Sequence, residues 1–337
     1  MQNKVKDLIQ SRVSLAPMAG ITDYVLRSLV RKYSPGVLLT TEMISSEYLA
    51  QTLNGRSGTE IFKRDEEHSP ISYQISGHKP EMMQKAAEFL NQYADMIDIK
   101  IEGINAGIID INMGCPVNKV VKGQDGCALM RNPQLAAELV KAVKSGTDKP
   151  VSVKFRLGYT ADEMNFVEFG VKMQEAGADF ITIHGRTRSQ MYSGQANWSK
   201  IAELKAAVDI PVFANGDVTS IEDALLCLEQ SNADGVAIGR GALGDPTLLG
   251  RISHYLKTGE KLPPPALEEK AEMLKVHIDE EIALRGENTA IKFMRKFYPY
   301  YFAGFHNAKN LRAKLVLEEN YDNIIKMLNE LRIVKTV

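Results

Sequence analysis

A cysteine follows directly after a short apolar run of strand character. Residues 108–113 (IIDINM) are mostly apolar or β-branched, and Gly114, Cys115 and Pro116 come next. Glycine permits a close approach of the backbone and proline fixes φ, so this order predicts a thiol at the tip of a strand. A free cysteine is more often a small buried apolar residue. The glycine-rich, lysine-bearing loop that follows favours a reactive thiol here instead.

Polar residues and glycines also recur where other apolar runs end. Lys154 alternates with Val153 and Phe155 and would lie at the depth of a buried strand. An unpaired buried ammonium group is very costly, so it needs a counter-charge, which a bound anionic cofactor would supply. The candidate site residues at these ends are Pro17, Met18, Ala19, Gln74, Asn112, Lys154, His184, Asn215, Gly216, Asp217, Gly239 and Arg240.

The last two apolar runs end in glycine-rich turns. Gly216 and residues 239–241 offer bare backbone N–H groups, and the Arg240 guanidinium offers a fork for phosphate oxygens. Residues 239–244 (GRGALG) match the dinucleotide pattern G-x-G-x-x-G, but they lie at the last run and no second βαβ half follows. We therefore interpret them as a loop that binds the phosphate of a mononucleotide.

Eight strand-like runs alternate with helical patterns, which predicts an α/β fold of the (β/α)8 TIM-barrel type. In such a barrel the active site lies at the C-terminal ends of the strands. An open doubly wound sheet is the main alternative, but polar residues at nearly every strand end favour a ring of sites. The predicted strands span residues 13–18, 37–41, 71–76, 108–113, 151–156, 180–184, 212–215 and 235–238, and the predicted helices span 23–32, 80–93, 133–144, 162–175, 198–207 and 220–228.

The C-terminal part of the chain differs from the rest. Residues 262–265 (LPPP) predict a stiff linker, and residues 266–337 show helical patterns without strand signals. We therefore predict a barrel domain over residues 1–258 and a small all-α domain over residues 259–337.

Basic residues concentrate in this predicted helical domain. Residues 285–314 contain seven basic residues and one acidic residue, although the net charge of the whole chain is −1. This asymmetry indicates a surface that faces a polyanion. The same segment holds seven aromatic residues, which we interpret as helical core rather than as platforms for stacked bases.

Composition excludes several classes of protein. The 337 residues are 44% hydrophobic and 25% charged, which is ordinary for a globular protein. No run of 18 apolar residues exists and the N-terminus lacks an apolar signal core, so we expect a cytoplasmic protein without a membrane span. The three cysteines and six scattered histidines match no metal-binding spacing, so we expect no metal site. We also expect a monomer without an obligate protein partner.

Seven segments together resemble the tRNA-dihydrouridine synthase family. The resemblance covers roughly residues 12–315, and residues 293–305 (FMRKFYPYYFAGF) resemble that family's helical RNA-binding domain. The segments are APMAGITD (16–23), YQISG (73–77), DINMGCPVNKVVKGQDGCALMRNP (110–133), VKFRLG (153–158), ITIHGRTRSQMYSG (181–194), FANGDV (213–218) and AIGRGALGDP (237–246).

The resemblance implies an FMN-dependent reduction of uridine to 5,6-dihydrouridine in tRNA, with NADPH as the reductant. It assigns Cys115 as the proton donor to uracil C5, with hydride passing from the flavin to C6. A thiol is mostly protonated at neutral pH, which suits that role. The resemblance also implies that Pro17, Met18, Ala19, Gln74, Lys154, Asn215, Gly216, Asp217, Gly239 and Arg240 hold FMN, with His184 beside the flavin ring.

Residues expected to contact the substrate or the RNA form a second set. They are Asn112, Arg186, Arg188, Arg295, Lys296 and Arg312. Three features depart from the family pattern: Cys127, which we interpret as packing, the sequence of residues 123–126, and an insertion at residues 94–107 that contains a possible further strand.

Two other functions stay open at this point. Another FMN-dependent barrel enzyme acting on a small molecule, such as a dihydroorotate or dihydropyrimidine dehydrogenase, would explain the flavin residues and Cys115 but not the basic segment. A tRNA-binding folding helper that has lost catalysis would explain the basic segment. The presence of Cys115, Lys154 and His184 weighs against the folding helper.

Overall fold

The computed structural model describes residues 2–52, 69–96, 100–101, 104–105, 107–305 and 308–331. Its centre is a barrel of eight parallel strands, as the alternation of strand and helix patterns predicted. The strands are β1 (Val13–Leu15), β2 (Leu39–Thr40), β3 (Ile71–Ser76), β4 (Gly107–Asn112), β5 (Val151–Arg156), β6 (Phe180–His184), β7 (Val212–Asn215) and β8 (Gly235–Ile238).

The sheet closes on itself between its first and last strands. β1 pairs with β8 in parallel, and Ser14 forms a parallel bridge to Leu38 immediately before β2. The N–H of Leu15 donates to the carbonyl of Leu38 at 2.8 Å. In an open doubly wound sheet the first strand would not meet the last one in this way, so that alternative is excluded.

Five of the eight strands have the bounds that the sequence predicted. β4 begins and ends one residue earlier than predicted, and β1 and β2 are shorter. β1 stops before Pro17, because proline lacks the N–H that a sheet ladder needs. The predicted insertion at residues 94–107 lies partly outside the described residues. Within it, Lys100–Ile101 pairs antiparallel with Ile104–Asn105.

Helices surround the barrel and continue beyond it. Apolar side chains of the strands pack outward on these helices, as where Phe155 of β5 meets Phe169 with ring centroids 5.1 Å apart. The helices are α1 (Gln2–Leu8), α2 (Tyr24–Tyr33), α3 (Ser46–Thr52), α4 (Pro80–Met96), α5 (Asn118–Lys122), α6 (Pro133–Ser145), α7 (Phe166–Glu175), α8 (Trp198–Ala207), α9 (Ile221–Ser231), α10 (Leu248–Thr258), α11 (Leu267–Arg285), α12 (Glu287–Met294), α13 (Tyr298–Tyr301), α14 (Ala308–Leu317) and α15 (Tyr321–Glu330).

Part of the barrel interior is polar. Ser14, Ser72, Asp110, Ser152 and Thr182 line a cavity there. TIM barrels are usually filled with branched apolar residues, so this interior departs from the usual packing. The polar side chains of this cavity lie next to Lys154, one of the candidate residues at the strand ends.

After residue 266 the described part of the chain consists of five helices joined by short turns. Phe297, Tyr298, Tyr301 and Phe302 are buried there, which confirms that most aromatic residues of this segment form core. α11 packs against α2 of the barrel. The division of the chain at residues 258 and 259 stays a prediction. In the described part of the chain, no helix combines the length and apolarity that a membrane span requires.

Candidate active site at the carboxyl ends of the barrel strands

Cys115 lies in the loop that follows β4, as the sequence predicted. Its side chain is half-buried. The Asn112 side-chain oxygen accepts hydrogen bonds from the N–H groups of Gly114 at 3.2 Å and Cys115 at 3.0 Å. The carbonyl of Cys115 accepts from the N–H of Cys127 at 3.1 Å. The backbone on both sides of the thiol is therefore fixed, and Asn112 serves to position Cys115.

A glycine makes this loop geometry possible. Gly126 adopts a φ of +59°, and a Cβ at that position would lie 2.7 Å from the Cys115 carbonyl oxygen. Any side chain at Gly126 would therefore displace the loop that carries the thiol.

Strand register brings the other candidate side chains to the same level of the barrel. Asn112 on β4 lies opposite Lys154 on β5. His184 on β6 lies opposite Asn215 on β7. Gln74 on β3 lies opposite Asp110 on β4. These residues are far apart in sequence, and only the closed sheet places them around one opening.

A buried hydrogen-bond network joins three of the strands. The Asp110 carboxylate accepts from the Gln74 amide at 2.7 Å and from the Ser152 hydroxyl at 2.6 Å. The Gln74 oxygen in turn accepts from the Asn112 amide at 2.7 Å. Burial raises the pKa of Asp110, against the opposing effect of these hydrogen bonds and of Lys154.

Sequence reasoning missed Asp110 as part of the site. A usable signal was present, because Asp110 precedes Asn112 by two residues and the side chains of a strand share a face with period two. Asp110 therefore orients Gln74, which orients Asn112, which holds Cys115.

Lys154 points into the same opening. Its ammonium group donates to the Asn215 side-chain oxygen at 3.0 Å, and the Asn215 amide donates to the carbonyl of Ala237 at 2.7 Å. Burial, and then the charge of Arg156, lowers the pKa of Lys154 to about 8, although Asp110 opposes the shift. The ammonium is therefore held mainly by an amide, and an anion beside it would be stabilised.

His184 is buried among cationic side chains. Its Nε2 lies 3.3 Å from a guanidinium nitrogen of Arg186. Burial, followed by the charges of Arg156, Lys154, Arg186 and Arg240, holds the pKa of His184 well below its usual range. The imidazole is therefore neutral at pH 7, and four cationic side chains lie near enough to contribute to the lowered pKa.

Arg156 braces the loops around the site. Its guanidinium donates to the carbonyls of Gly114 at 2.9 Å, Thr187 at 3.0 Å and Met191 at 2.7 Å. It thereby ties the Cys115 loop to the loop after β6. No role for Arg156 was predicted, although it follows Lys154 by two residues and so shares its face of β5.

Two arginines meet at Asp217 beside the predicted phosphate loop. The Asp217 carboxylate accepts from Arg186 at 2.6 Å, from Arg240 at 3.2 Å and from the Ala196 N–H at 2.8 Å. Partial burial acts to raise the pKa of Asp217, but these hydrogen bonds and charges lower it overall. Asp217 thus positions the arginines. A carboxylate would repel a phosphate. If Asp217 helps to hold FMN, as predicted, it would do so through Arg240 and not by direct contact with the phosphate.

Of the two glycines beside this loop, Gly216 leaves no room for a side chain, whereas Gly239 does. Gly216 has a φ of +124°, and a Cβ there would lie 2.7 Å from Ala196 and 3.0 Å from the His184 ring. Gly239 faces the side chain of Met18, whose sulfur would lie 3.4 Å from a Cβ at this position. The Arg240 side chain is 46% exposed, so its guanidinium is open to a ligand beside Gly239.

The loop after β1 completes the opening with Pro17, Met18 and Ala19. The N–H of Met18 donates to the Thr22 hydroxyl at 3.1 Å, and the Met18 carbonyl accepts from the N–H of Ile21 at 3.0 Å. This compact turn sets Met18 against Gly239.

The residues predicted to contact RNA differ in their burial and in their partners. Arg186 is only 1% exposed and donates to the carbonyls of Ser193 and Gly194 and to the Asp217 carboxylate, so it braces the loop after β6. Its contact with RNA stays a prediction. Arg188 is half-buried and donates to the Asn118 side chain.

The three predicted RNA contacts of the C-terminal region have different environments. Arg295 pairs with Glu319 at 2.8 Å. Lys296 donates to the carbonyl of Gly20, in the loop after β1. Arg312 is half-buried on α14. Contact of these residues with RNA stays a prediction.

Together these features define a TIM-barrel protein with a thiol, a half-buried ammonium group and a cationic loop at its strand ends. The chain belongs to the dihydrouridine synthase (Dus) family, whose sequence model matches residues 14–333.

Curated relatives match along most of their length. The probable tRNA-dihydrouridine synthase 1 of Synechocystis sp. is 41% identical over 307 residues, covering 91% of this chain and 82% of the relative. The tRNA-dihydrouridine synthase B of Pseudomonas aeruginosa is 38% identical over 306 residues, covering 91% and 88%. The probable tRNA-dihydrouridine synthase of Rickettsia bellii is 36% identical over 309 residues, covering 92% and 91%.

Proposed function

We propose that this protein is a tRNA-dihydrouridine synthase that uses FMN and NADPH to reduce the C5–C6 double bond of uridine in tRNA. The names of its relatives support the reaction class. The observation that carries the proposal is the placement of Cys115, a half-buried thiol whose backbone is fixed at the rim of a cationic opening.

The residues around the opening fit FMN. The cationic side chains around His184, which are Arg156, Lys154, Arg186 and Arg240, suit an anionic ligand. Arg240 and the bare backbone at Gly239 suit the phosphate, and Gln74, Lys154 and Asn215 supply polar groups for the flavin ring. When bound, FMN would carry electrons from NADPH and supply the hydride that uracil C6 receives.

Cys115 supplies the proton for the same reaction. Hydride addition at C6 leaves negative charge on the uracil, and the Sγ of Cys115 protonates C5, so the base gains one hydride and one proton in total. The thiolate that remains takes up a proton from solvent. Asn112 and Arg156 keep the thiol in place through the backbone of residues 114 and 115.

Cys127 is not an alternative proton donor. It is buried, and burial raises its pKa to about 12. Its N–H holds the Cys115 carbonyl, which is a structural role.

The substrate base must leave the RNA stack to reach this opening. Extrusion costs a few kcal/mol and is easiest in a single-stranded loop. We propose that the helical C-terminal region binds the tRNA through phosphates while the barrel receives the base, and that the protein acts in the cytoplasm, where tRNA is modified.

An absorbance experiment tests the proposal directly. The purified protein, given FMN, should show a flavin spectrum that NADPH bleaches and that tRNA lacking modifications restores. A bleached flavin that ignores tRNA but is reoxidised by free pyrimidines would point to a small-molecule oxidoreductase. A protein that does not take up FMN would refute the proposed chemistry.

A further inference from the structure

Two cations of the C-terminal helices reach the loop that follows β1. Arg285, at the end of α11, donates through Nη2 to the Asp23 carboxylate and through Nε to the Glu281 carboxylate at 2.5 Å. Lys296, beyond α12, donates to the carbonyl of Gly20. We call Asp23, Glu281, Arg285, Phe293 and Lys296 the junction cluster.

An aromatic ring holds the two cations together. The guanidinium carbon of Arg285 lies 4.1 Å from the centroid of the Phe293 ring, and the Lys296 nitrogen lies 3.3 Å from it. Cation–π contacts of this kind are worth about 0.5–2 kcal/mol, more when they are shielded from water. Phe293 thus fixes the direction in which both side chains leave the helices.

The Gly20 peptide is held from both sides. Its carbonyl accepts from Lys296, and its N–H donates to the Glu42 carboxylate. Both carboxylate oxygens of Asp23 have partners. One accepts from Arg285, and the other accepts from the N–H of Leu26 at 3.1 Å and so caps α2. The junction cluster therefore grips the loop at two points, residues 20 and 23.

These two points flank Ile21 and Thr22, which hydrogen-bond to Met18 in the part of the loop that faces the active site. The Met18 carbonyl accepts from the N–H groups of Ile21 and Thr22, and the Met18 N–H donates to the Thr22 hydroxyl at 3.1 Å. Met18 in turn packs beside Gly239 of the phosphate loop. A shift at Gly20 or Asp23 would therefore move Met18.

We propose that Arg285 and Lys296 are positioning residues, through which the C-terminal helical region sets the loop of residues 17–23 for FMN. The inference rests on the proposed function. It makes the helical region part of the cofactor site as well as a surface for RNA. Neither residue touches the reacting atoms: Lys296 acts through the backbone carbonyl of Gly20, and Arg285 acts through the side chain of Asp23.

The charge state of the cluster supports this arrangement. The side chain of Glu281 is fully buried, and burial followed by the charge of Asp23 raises its pKa to about 8. The side chain of Asp23 is 8% exposed and has Arg285 as its partner. Removing one partner of a buried pair leaves an uncompensated charge, so loss of Arg285 should release Asp23 from its position.

The test measures FMN affinity by quenching of flavin fluorescence, without RNA. For Arg285→Met and for Lys296→Met we expect FMN to bind roughly tenfold more weakly than to the wild type, which corresponds to about 1.4 kcal/mol. Arg285→Lys keeps the charge and should recover part of the affinity. Lys296 is exposed, so its variant remains informative even if Arg285→Met folds poorly.

A matched control separates positioning from general stability. Lys144 pairs with Asp179 at 2.7 Å, and Asp179 also holds the first residue of β5, at the opposite end of the barrel. Lys144→Met should lower the melting temperature without changing FMN affinity. Wild-type protein that binds FMN, with variants of Arg285 and Lys296 that bind it equally well, would overturn the positioning role alone. Wild-type protein that does not bind FMN would overturn the proposed function and this inference with it.

Discussion

Replacing Lys154 by methionine tests how the site binds an anion. Methionine keeps most of the apolar stem and removes the ammonium group. In the ligand-free protein this ammonium donates to Asn215 at 3.0 Å, and burial lowers its pKa from 10.5 to about 8. We expect Lys154→Met to weaken FMN binding and to remove the pH dependence of that binding at alkaline pH.

The size of the effect follows from the pKa shift. Each pKa unit corresponds to about 1.4 kcal/mol, so keeping Lys154 charged in the ligand-free protein costs about 3 kcal/mol. An anion that restores an ordinary pKa recovers up to that amount, which is a factor of roughly 100 in the dissociation constant. Because the pKa is about 8 without ligand and higher with it, affinity should be constant below pH 8 and fall as the pH rises above it.

The lowered pKa of Lys154 also predicts that the ammonium group, which strengthens FMN binding, destabilises the FMN-free protein at neutral pH. The folded protein binds fewer protons at Lys154 than the unfolded chain between pH 8 and 10.5, so stability from this group rises with pH over that range. At neutral pH, FMN-free Lys154→Met should therefore melt at a higher temperature than FMN-free wild type, and the difference should shrink in alkaline buffer.

Fluorescence titration with FMN from about pH 7 to about pH 9.5, with thermal melts of the FMN-free proteins, provides both measurements. The wild-type dissociation constant should rise up to tenfold per pH unit above pH 8, and that of the variant should stay high and flat. A wild-type constant that does not change over this range, or a variant that binds FMN as tightly as the wild type, would refute the reasoning.

Three further predictions concern the thiol, the junction cluster and the RNA surface. Cys115→Ala should lower tRNA-dependent flavin reoxidation by about 10²–10⁴-fold with unchanged FMN affinity, whereas Cys127→Ala should keep the rate; equal losses would remove Cys115 as the acid. Since the pKa of Glu281 is raised from 4.5 to about 8, wild-type stability should fall as the pH rises through that window, and Glu281→Gln should lessen the fall in melts at pH 6 and pH 9; parallel curves would contradict the shift. Arg312→Ala should reduce the salt slope of tRNA binding by about one, and an unchanged slope would place the RNA elsewhere.

Much of the fold could be predicted because its signals are local. The alternation of apolar runs with helical patterns specified the eight strands of the barrel, and five of them have the predicted bounds. The order of Gly114, Cys115 and Pro116 specified a thiol at a strand tip, because glycine and proline restrict the backbone at their own positions. The motifs also carried the family resemblance, which the family match confirms.

The buried network below Cys115 depended on register between strands. Asp110 reaches Ser152 on the next strand, 42 residues away, and a shift of one residue would turn either side chain to the other face. Nothing near Asp110 in the sequence specifies that partner. Its role in holding Gln74 and Asn112 therefore emerged only from the closed sheet.

Tertiary contacts decided whether each arginine or lysine is buried or exposed and which group it contacts. Arg186 and Arg188 are two residues apart in one motif, yet Arg186 is buried against Asp217, 31 positions further along, while Arg188 remains half-buried. Lys296 contacts Gly20 across 276 positions of sequence. The sequence by itself determined the barrel, the thiol and a cationic opening. Only the packing of distant elements decided which cations face a ligand and which brace the loops, because a charged side chain settles where a partner of opposite charge or a carbonyl compensates its loss of water.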